Sequence, residues 1–173
     1  MRPSANVGQI AAAQAGWRVA FLEGDDDGRR GREPMMTLTH KADFSATHAE
    51  PRLPSWHPCA RIHGHEWSVT LDVSREGNFT EDESVAVHTA FAEFDVWVAG
   101  QVNLRHLNEV DGALQDRCGP ADVARWVYGM WADRLPHLAA VRVSGPTVDT
   151  GSTDSGGPQY RRYEVSYTPT TRS

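Results

Sequence analysis

Residues 44–71 read FSATHAEPRLPSWHPCARIHGHEWSVTL, and the fold turns on how this stretch is read. From Glu66 to Val73 polar and apolar residues alternate, the pattern of a half-buried strand. Residues two apart on a strand share a face, so His63 and His65 project to the same side. Thr37 to Phe44 also carries extended-type residues. Paired antiparallel with the second strand, it brings His48 to the end where His63 and His65 stand. Between the two lies a loop with Pro51, Pro54 and Pro58, a poor candidate for a helix or a central strand.

His48, His63 and His65 can offer three imidazoles to one metal ion and leave a fourth position open for water or substrate. That open position distinguishes a catalytic zinc from a structural one. Each residue alone reads more plainly. A histidine is usually a surface or satisfied core residue, and this chain has eight of them. A lone cysteine such as Cys59 is most often a small buried hydrophobe.

The combination Phe44-x-Ala46-x-His48, followed by Cys59-x-x-x-His63-Gly64-His65, resembles the signature of the 6-pyruvoyl-tetrahydropterin and 6-carboxytetrahydropterin synthase family. The Cys-Ala-Arg-Ile-His-Gly-His wording is similar to the carboxytetrahydropterin branch. The likeness runs from about Thr37 to Tyr167 and is strongest over residues 44–71. It implies zinc held by His48, His63 and His65, with Cys59 as the catalytic cysteine and Arg61 nearby. It also implies the tunnelling fold, ββααββ, with two helices on one face of an antiparallel sheet. Sheets of that family join edge to edge into homo-oligomers, trimers stacked into hexamers, with active sites between subunits. The chemistry suits the residue types: zinc is a Lewis acid without redox chemistry, and a thiol's pKa is lowered by a nearby cation. The thiol is expected to be exposed in its loop beside the metal.

Downstream the sequence departs from that family. With Leu107-Asn108 as anchor, an Asp-His relay pair is replaced by Asn103 and Leu104. A Pro-Thr-x-Glu run opening the second helix is replaced by Cys118-Gly119-Pro120-Ala121-Asp122. The strand glutamate that grips the pterin falls at Gly145, in Val143-Ser144-Gly145-Pro146. An Asp-Phe pair at the entry to the first helix becomes Val87-His88. Two readings of this pattern are open. Either the metal site serves an altered, pterin-like small molecule, with His106, His88 or His57 as the replacement base, or Asp122, Asp149 or Glu164 compensates and the pterin reaction survives.

The leading expectation is a zinc-dependent carbon–carbon lyase resembling 6-carboxytetrahydropterin synthase, acting through Cys59 and His106 on an altered substrate. The alternatives are that enzyme itself, acting on 7,8-dihydroneopterin triphosphate, and a catalytically silent zinc-binding homologue.

At 173 residues the chain has the size of one ordinary domain. Two cysteines, Cys59 and Cys118, make no disulfide framework, no apolar run is long enough to span a membrane, and no secretion signal opens the chain. A net charge of -6 argues against a nucleic-acid surface. A cytoplasmic protein is expected. Residues 1–35 read as an extension, flexible or upstream of the true start, with a short helix over Ala11–Leu22 and a charged, glycine-punctuated linker after it; residues 36–173 form the domain. Val87, Phe91, Phe94, Val98 and Val102 make one amphipathic stripe; Val123, Trp126, Val127, Met130 and Trp131 make another, opened by Pro120 and stopped by Pro136. Ala139–Val143 and Tyr160–Tyr167 read as a closing hairpin, which completes an α+β fold.

Overall fold

A computed structural model describes residues 33–149 and 159–170. The expected helix over Ala11–Leu22, its linker and the turn over 150–158 lie outside those residues. The described chain runs β1 (Met35–His48), β2 (His63–Glu76), α1 (Glu81–Trp97), α2 (Leu107–Val110), α3 (Pro120–Trp131), β3 (Leu138–Asp149) and β4 (Gln159–Tyr167). The four strands form one antiparallel sheet in the order β1-β2-β3-β4. This is the expected α+β architecture, with one short helix added. Four residues of α2 are too few to show a helical period in sequence; the fully buried Leu107 anchors them in the core, and Val110 packs against it.

The first two strands are longer than their alternating cores suggest. Their register runs from Met35 opposite Glu76 to His48 opposite His63, so all three candidate ligands sit within the ladder. Residues directly opposite in an antiparallel pair share a face. Ala42, Phe44, Ala46 and His48 therefore line up with Val69, Trp67, His65 and His63.

That face is the one the helices cover. Val87, Phe91, Phe94, Val98 and Val102 are all buried against it, as are Val123, Trp126, Val127 and Trp131. Met130 was expected with them but is 39% exposed, because it stands at the margin of the α3 stripe. Full burial of a large apolar side chain contributes about 1.5–3 kcal/mol, so this layer fixes the sheet's orientation. The N-terminus of α1 is closed by a capping box in which Glu83 N donates to Thr80 Oγ1 and Thr80 N to Glu83 Oε2. The other sheet face is polar: Asp72 accepts from Thr39 Oγ1 at 2.9 Å and from Arg142 Nε at 2.6 Å.

The three histidines extend the apolar face beyond the end of its hydrophobic cover. A cross-strand ladder built for packing thus ends in a cluster of nitrogen ligands. None of the described helices is long and apolar enough to cross a membrane.

Candidate metal centre

His48, His63 and His65 meet at the end of the β1–β2 ladder, with one ring nitrogen of each within 4.8 Å of the others. His48 Nε2 lies 3.1 Å from His63 Nε2 and 2.9 Å from His65 Nε2. The opposite nitrogens all face backbone carbonyls. His48 Nδ1 is 2.7 Å from Cys118 O, His63 Nδ1 is 2.9 Å from Arg61 O, and His65 Nδ1 is 3.3 Å from Glu66 O. A carbonyl only accepts, so each Nδ1 carries the proton and each Nε2 presents a lone pair.

Three lone pairs converging at such distances repel one another unless a cation stands among them. With Zn–N bonds of about 2.0–2.1 Å in tetrahedral geometry, ligand nitrogens lie about 3.3–3.4 Å apart. The donor set fits such an ion, with all three nitrogens within 4.8 Å of one another, and fixing the tautomer through Nδ1 is how metal-binding imidazoles are usually held. Burial, followed by the neighbouring His63, pushes the His48 pKa down to about 3. A neutral imidazole is the form a metal requires.

Cys59 lies in a single 3₁₀ turn, Pro58–Ala60, in the loop between β1 and β2. Its amide donates to His57 Nδ1 at 3.1 Å, and its carbonyl accepts from Glu50 N at 2.7 Å. The expected exposure is not found: Cys59 is 8% exposed. The turn folds the thiol inward, because its backbone is tied to residue 50 just past His48. Cys59 stands outside the histidine cluster itself.

His106 is brought to the edge of β1, next to the strand end that carries His48, by a segment that sequence spacing does not reveal. Residues 103–106 run along the outer edge of β1: Ser45 N donates to Asn103 Oδ1 at 3.1 Å, Leu104 N to Ser45 O at 2.6 Å, and Thr47 N to Arg105 O at 2.9 Å. His106 Nδ1 shares a 3.2 Å hydrogen bond with Thr47 Oγ1, one residue before His48. The side-chain amide of Asn108 then clamps Ala49, accepting from its N at 2.8 Å and donating to its O at 3.0 Å. Asn103 is therefore a clamp on the sheet edge. Leu104 takes a left-handed φ of 59° and is 79% exposed.

The other candidates are dispersed. His57 caps the Cys59 turn, whereas His88 is on the exposed face of α1 with its Nδ1 2.5 Å from Ser84 O. Glu164 pairs with Arg142 at 3.2 Å. Asp122 lies in the first turn of α3, 3.3 Å from Arg125. The Arg61 residue is exposed, and only its carbonyl serves the cluster. The side chain of Asp149 lies outside the described residues.

Gly145 is packed into the centre. A Cβ there would stand 3.3 Å from both His65 Cε1 and the Trp67 ring, and Trp67 stacks on His65 with centroids 4.5 Å apart. The strand position that resemblance assigns to a carboxylate is thus filled by neighbouring rings. A different carboxylate is close. Glu50 packs against Gly119, where a Cβ would meet Glu50 Oε1 at 2.7 Å, and burial together with Asp122 holds its carboxyl above the ordinary range. The same burial, with Glu50 and Asp122, pushes the Cys118 thiol up to about 12.

Sequence reasoning missed Thr47, Asn108, Glu50 and the Cys118 carbonyl. Only the Leu107-Asn108 pair carried a signal, as the anchor of an otherwise altered run.

The described chain is similar in fold to the 6-pyruvoyl tetrahydropterin synthase of Caenorhabditis elegans, with a TM-score of 0.55 and 15% sequence identity over 80% of this chain and 99% of that one. An uncharacterized protein from Wolinella succinogenes is 12% identical over 76% of this chain and 97% of its own, with a TM-score of 0.49. A family model described as 6-pyruvoyl tetrahydropterin synthase matches residues 37–152, which include the three histidines, Cys59 and the clamped segment at 103–106. By that match the chain belongs to the 6-pyruvoyl tetrahydropterin synthase family.

Proposed function

We propose that this protein is a zinc-dependent, lyase-type enzyme acting on a pterin-like small molecule that differs from the usual family substrate. The observation that carries the reading is the convergence of three Nε2 lone pairs, each fixed by an Nδ1 bond to a backbone carbonyl. Zinc held there by His48, His63 and His65 would supply Lewis-acid polarisation of a substrate oxygen.

The remaining chemistry belongs to the chain. Cys59, held by its 3₁₀ turn, is the proton carrier at the substrate carbon. His106, fixed through Thr47, is the second proton-transfer group, taking the place of the Asp-His pair replaced by Asn103 and Leu104. The altered substrate is favoured by Gly145, whose surroundings leave no room for a ring-gripping carboxylate at that position. Association through β4 and through the part of the β1 edge that precedes Ser45, into a trimer or hexamer, completes the proposal.

The test is incubation of the zinc-loaded protein with 7,8-dihydroneopterin triphosphate, followed by product analysis. Absence of 6-carboxytetrahydropterin, with zinc present at about one per chain, supports a changed substrate. Formation of that product at an enzymatic rate identifies the protein as a 6-carboxytetrahydropterin synthase. On whichever substrate turns over, Cys59→Ala should abolish turnover with zinc still bound; unchanged turnover rejects the role of the thiol.

A further inference from the structure

We infer that Trp67 is a positioning residue of the metal centre: its indole is the wall that holds the His48 and His65 rings with their Nε2 atoms turned toward one another. The inference rests on the metal reading above and names the side chain that gives that site its shape. Hydrogen bonds do not hold the three histidines equally. His48 and His63 have Nδ1 contacts of 2.7 and 2.9 Å to carbonyls, whereas that of His65, to the carbonyl of the next residue, is 3.3 Å. A contact of that length sets the tilt of the ring only loosely.

Trp67, two residues on and on the same face of β2, supplies what that bond lacks. Its ring lies 4.5 Å from that of His65 at an interplanar angle of 30°. The same indole meets the His48 ring at 4.9 Å and 81°. Both arrangements are among those that aromatic rings prefer. His63 packs instead on His48 and His65, with ring centroids 4.4 and 5.6 Å away. The wall is itself fixed. Trp67 is 1% exposed and stands opposite Phe44 across the ladder, the two rings parallel to within 3°. On the β3 side Gly145 approaches so closely that a Cβ would stand 3.3 Å from Trp67 Cε3.

The residue type supports this role. Trp67 Nε1 is buried with no hydrogen-bond partner among the described residues, and burying an unpaired donor is unfavourable. A phenylalanine fills an apolar core position without that cost. What the indole adds is flat surface long enough to meet His48 and His65 together. Packing of this kind around metal-binding imidazoles fixes their orientation before the ion arrives.

The experiment compares the full chain with Trp67→Leu, Trp67→Phe and a core control, Phe94→Leu, whose ring packs on Trp97 and Trp131. Zinc affinity is measured by competition with a chromophoric chelator. Ring-nitrogen NMR spectra of the metal-free proteins at alkaline pH report the tautomer of each histidine. Trp67→Leu is expected to lower zinc affinity about 10–100-fold, Trp67→Phe less, and Phe94→Leu not at all although it lowers stability. In the metal-free parent His65 should be protonated at Nδ1; in Trp67→Leu it should mix both tautomers, with His63 unchanged. Parental zinc affinity and a parental His65 tautomer in folded Trp67→Leu overturn the positioning role and leave the metal reading standing. An equal loss of zinc affinity in Phe94→Leu overturns it too, since the effect then follows core stability alone. A parent protein that takes up no zinc overturns the metal reading instead; a His65 tautomer that still depends on Trp67 then upholds the wall, and one that does not overturns it.

Discussion

His48 Nδ1 donates to the carbonyl oxygen of Cys118 at 2.7 Å, across 70 residues of sequence. The bond ties the first of the three clustered histidines to the residue before the N-cap of α3. It also fixes which of its nitrogens faces His63 and His65. The geometry of the histidine cluster at the end of the sheet is thus set by the segment leading into α3 as well as by the strands.

Zinc should be found at about one ion per chain, and His63→Ala should lose it. Removal of the ion leaves three lone pairs facing one another, so chelation is expected to lower Tm measurably in the parent and hardly at all in His63→Ala. Scanning calorimetry with and without chelator checks this. Identical Tm values for loaded and chelated parent would sink the prediction.

In the metal-free protein, His48 is held neutral down to about 3, by burial first and then by His63. The unfolded chain takes up that proton near pH 6.5. Between these values the unfolded state binds more protons, so stability rises with pH through the window. Metal-free protein should therefore lose stability as pH falls from about 6.5 toward about 3, and His48→Gln should flatten the slope. Urea melts at several pH values provide the measurement, and parallel slopes would exclude His48 as the cause.

Gly145→Ala places a methyl group 3.3 Å from His65 Cε1 and from the Trp67 ring. Both neighbours are rigid aromatic rings, so overpacking should cost about 1–3 kcal/mol. Zinc affinity should fall as well, because His65 must shift. Denaturant melts and a competitive zinc titration report the two effects separately; retention of both parental values would show that the rings yield freely.

Asn108→Ala removes the partner of Ala49 N and of Ala49 O at once. Leaving such groups unpaired costs about 1–3 kcal/mol. The change should also loosen His106 from Thr47, so on a working substrate kcat should fall more than KM rises. A variant with lowered stability but parental kinetics would confine Asn108 to a structural role.

Leu104→Gly relieves the left-handed conformation and exposes no core. Relief of about 1–2 kcal/mol, offset by the greater freedom of glycine in the unfolded chain, predicts a gain of about 0.5–1 kcal/mol. A clear drop in Tm would show that the leucine makes contacts in an assembled form of the protein.

Much of the fold was legible because burial has a period. Phe91 and Phe94 fall on one stripe with Val87 and Val98, and Trp67 and Val69 alternate with polar neighbours, so helix and strand announced themselves. The histidine cluster was legible for the same reason, since His63 and His65 continue a two-residue period. Cys59 was misjudged as exposed, because a proline-rich loop gives no signal of which way a short turn folds. The clamp at Asn103 and Thr47 had no signal either, and Asn108 only that of its Leu107-Asn108 pair, because the clamp is made of hydrogen bonds between segments some 60 residues apart, such as Thr47 to His106 with a separation of 59.

The sequence by itself determined the sheet-and-helix architecture and the three imidazoles at one end of it, because side-chain alternation and apolar spacing are local properties of the chain. The tertiary structure alone decided which nitrogen each histidine presents, that Cys59 turns inward, that Gly145 is closed off by His65 and Trp67, and that Arg105 and His106 line a cavity together with His65. Those outcomes depend on carbonyls and ring faces supplied from distant segments. Their direction exists only once the sheet, α3 and the 103–106 edge have packed together.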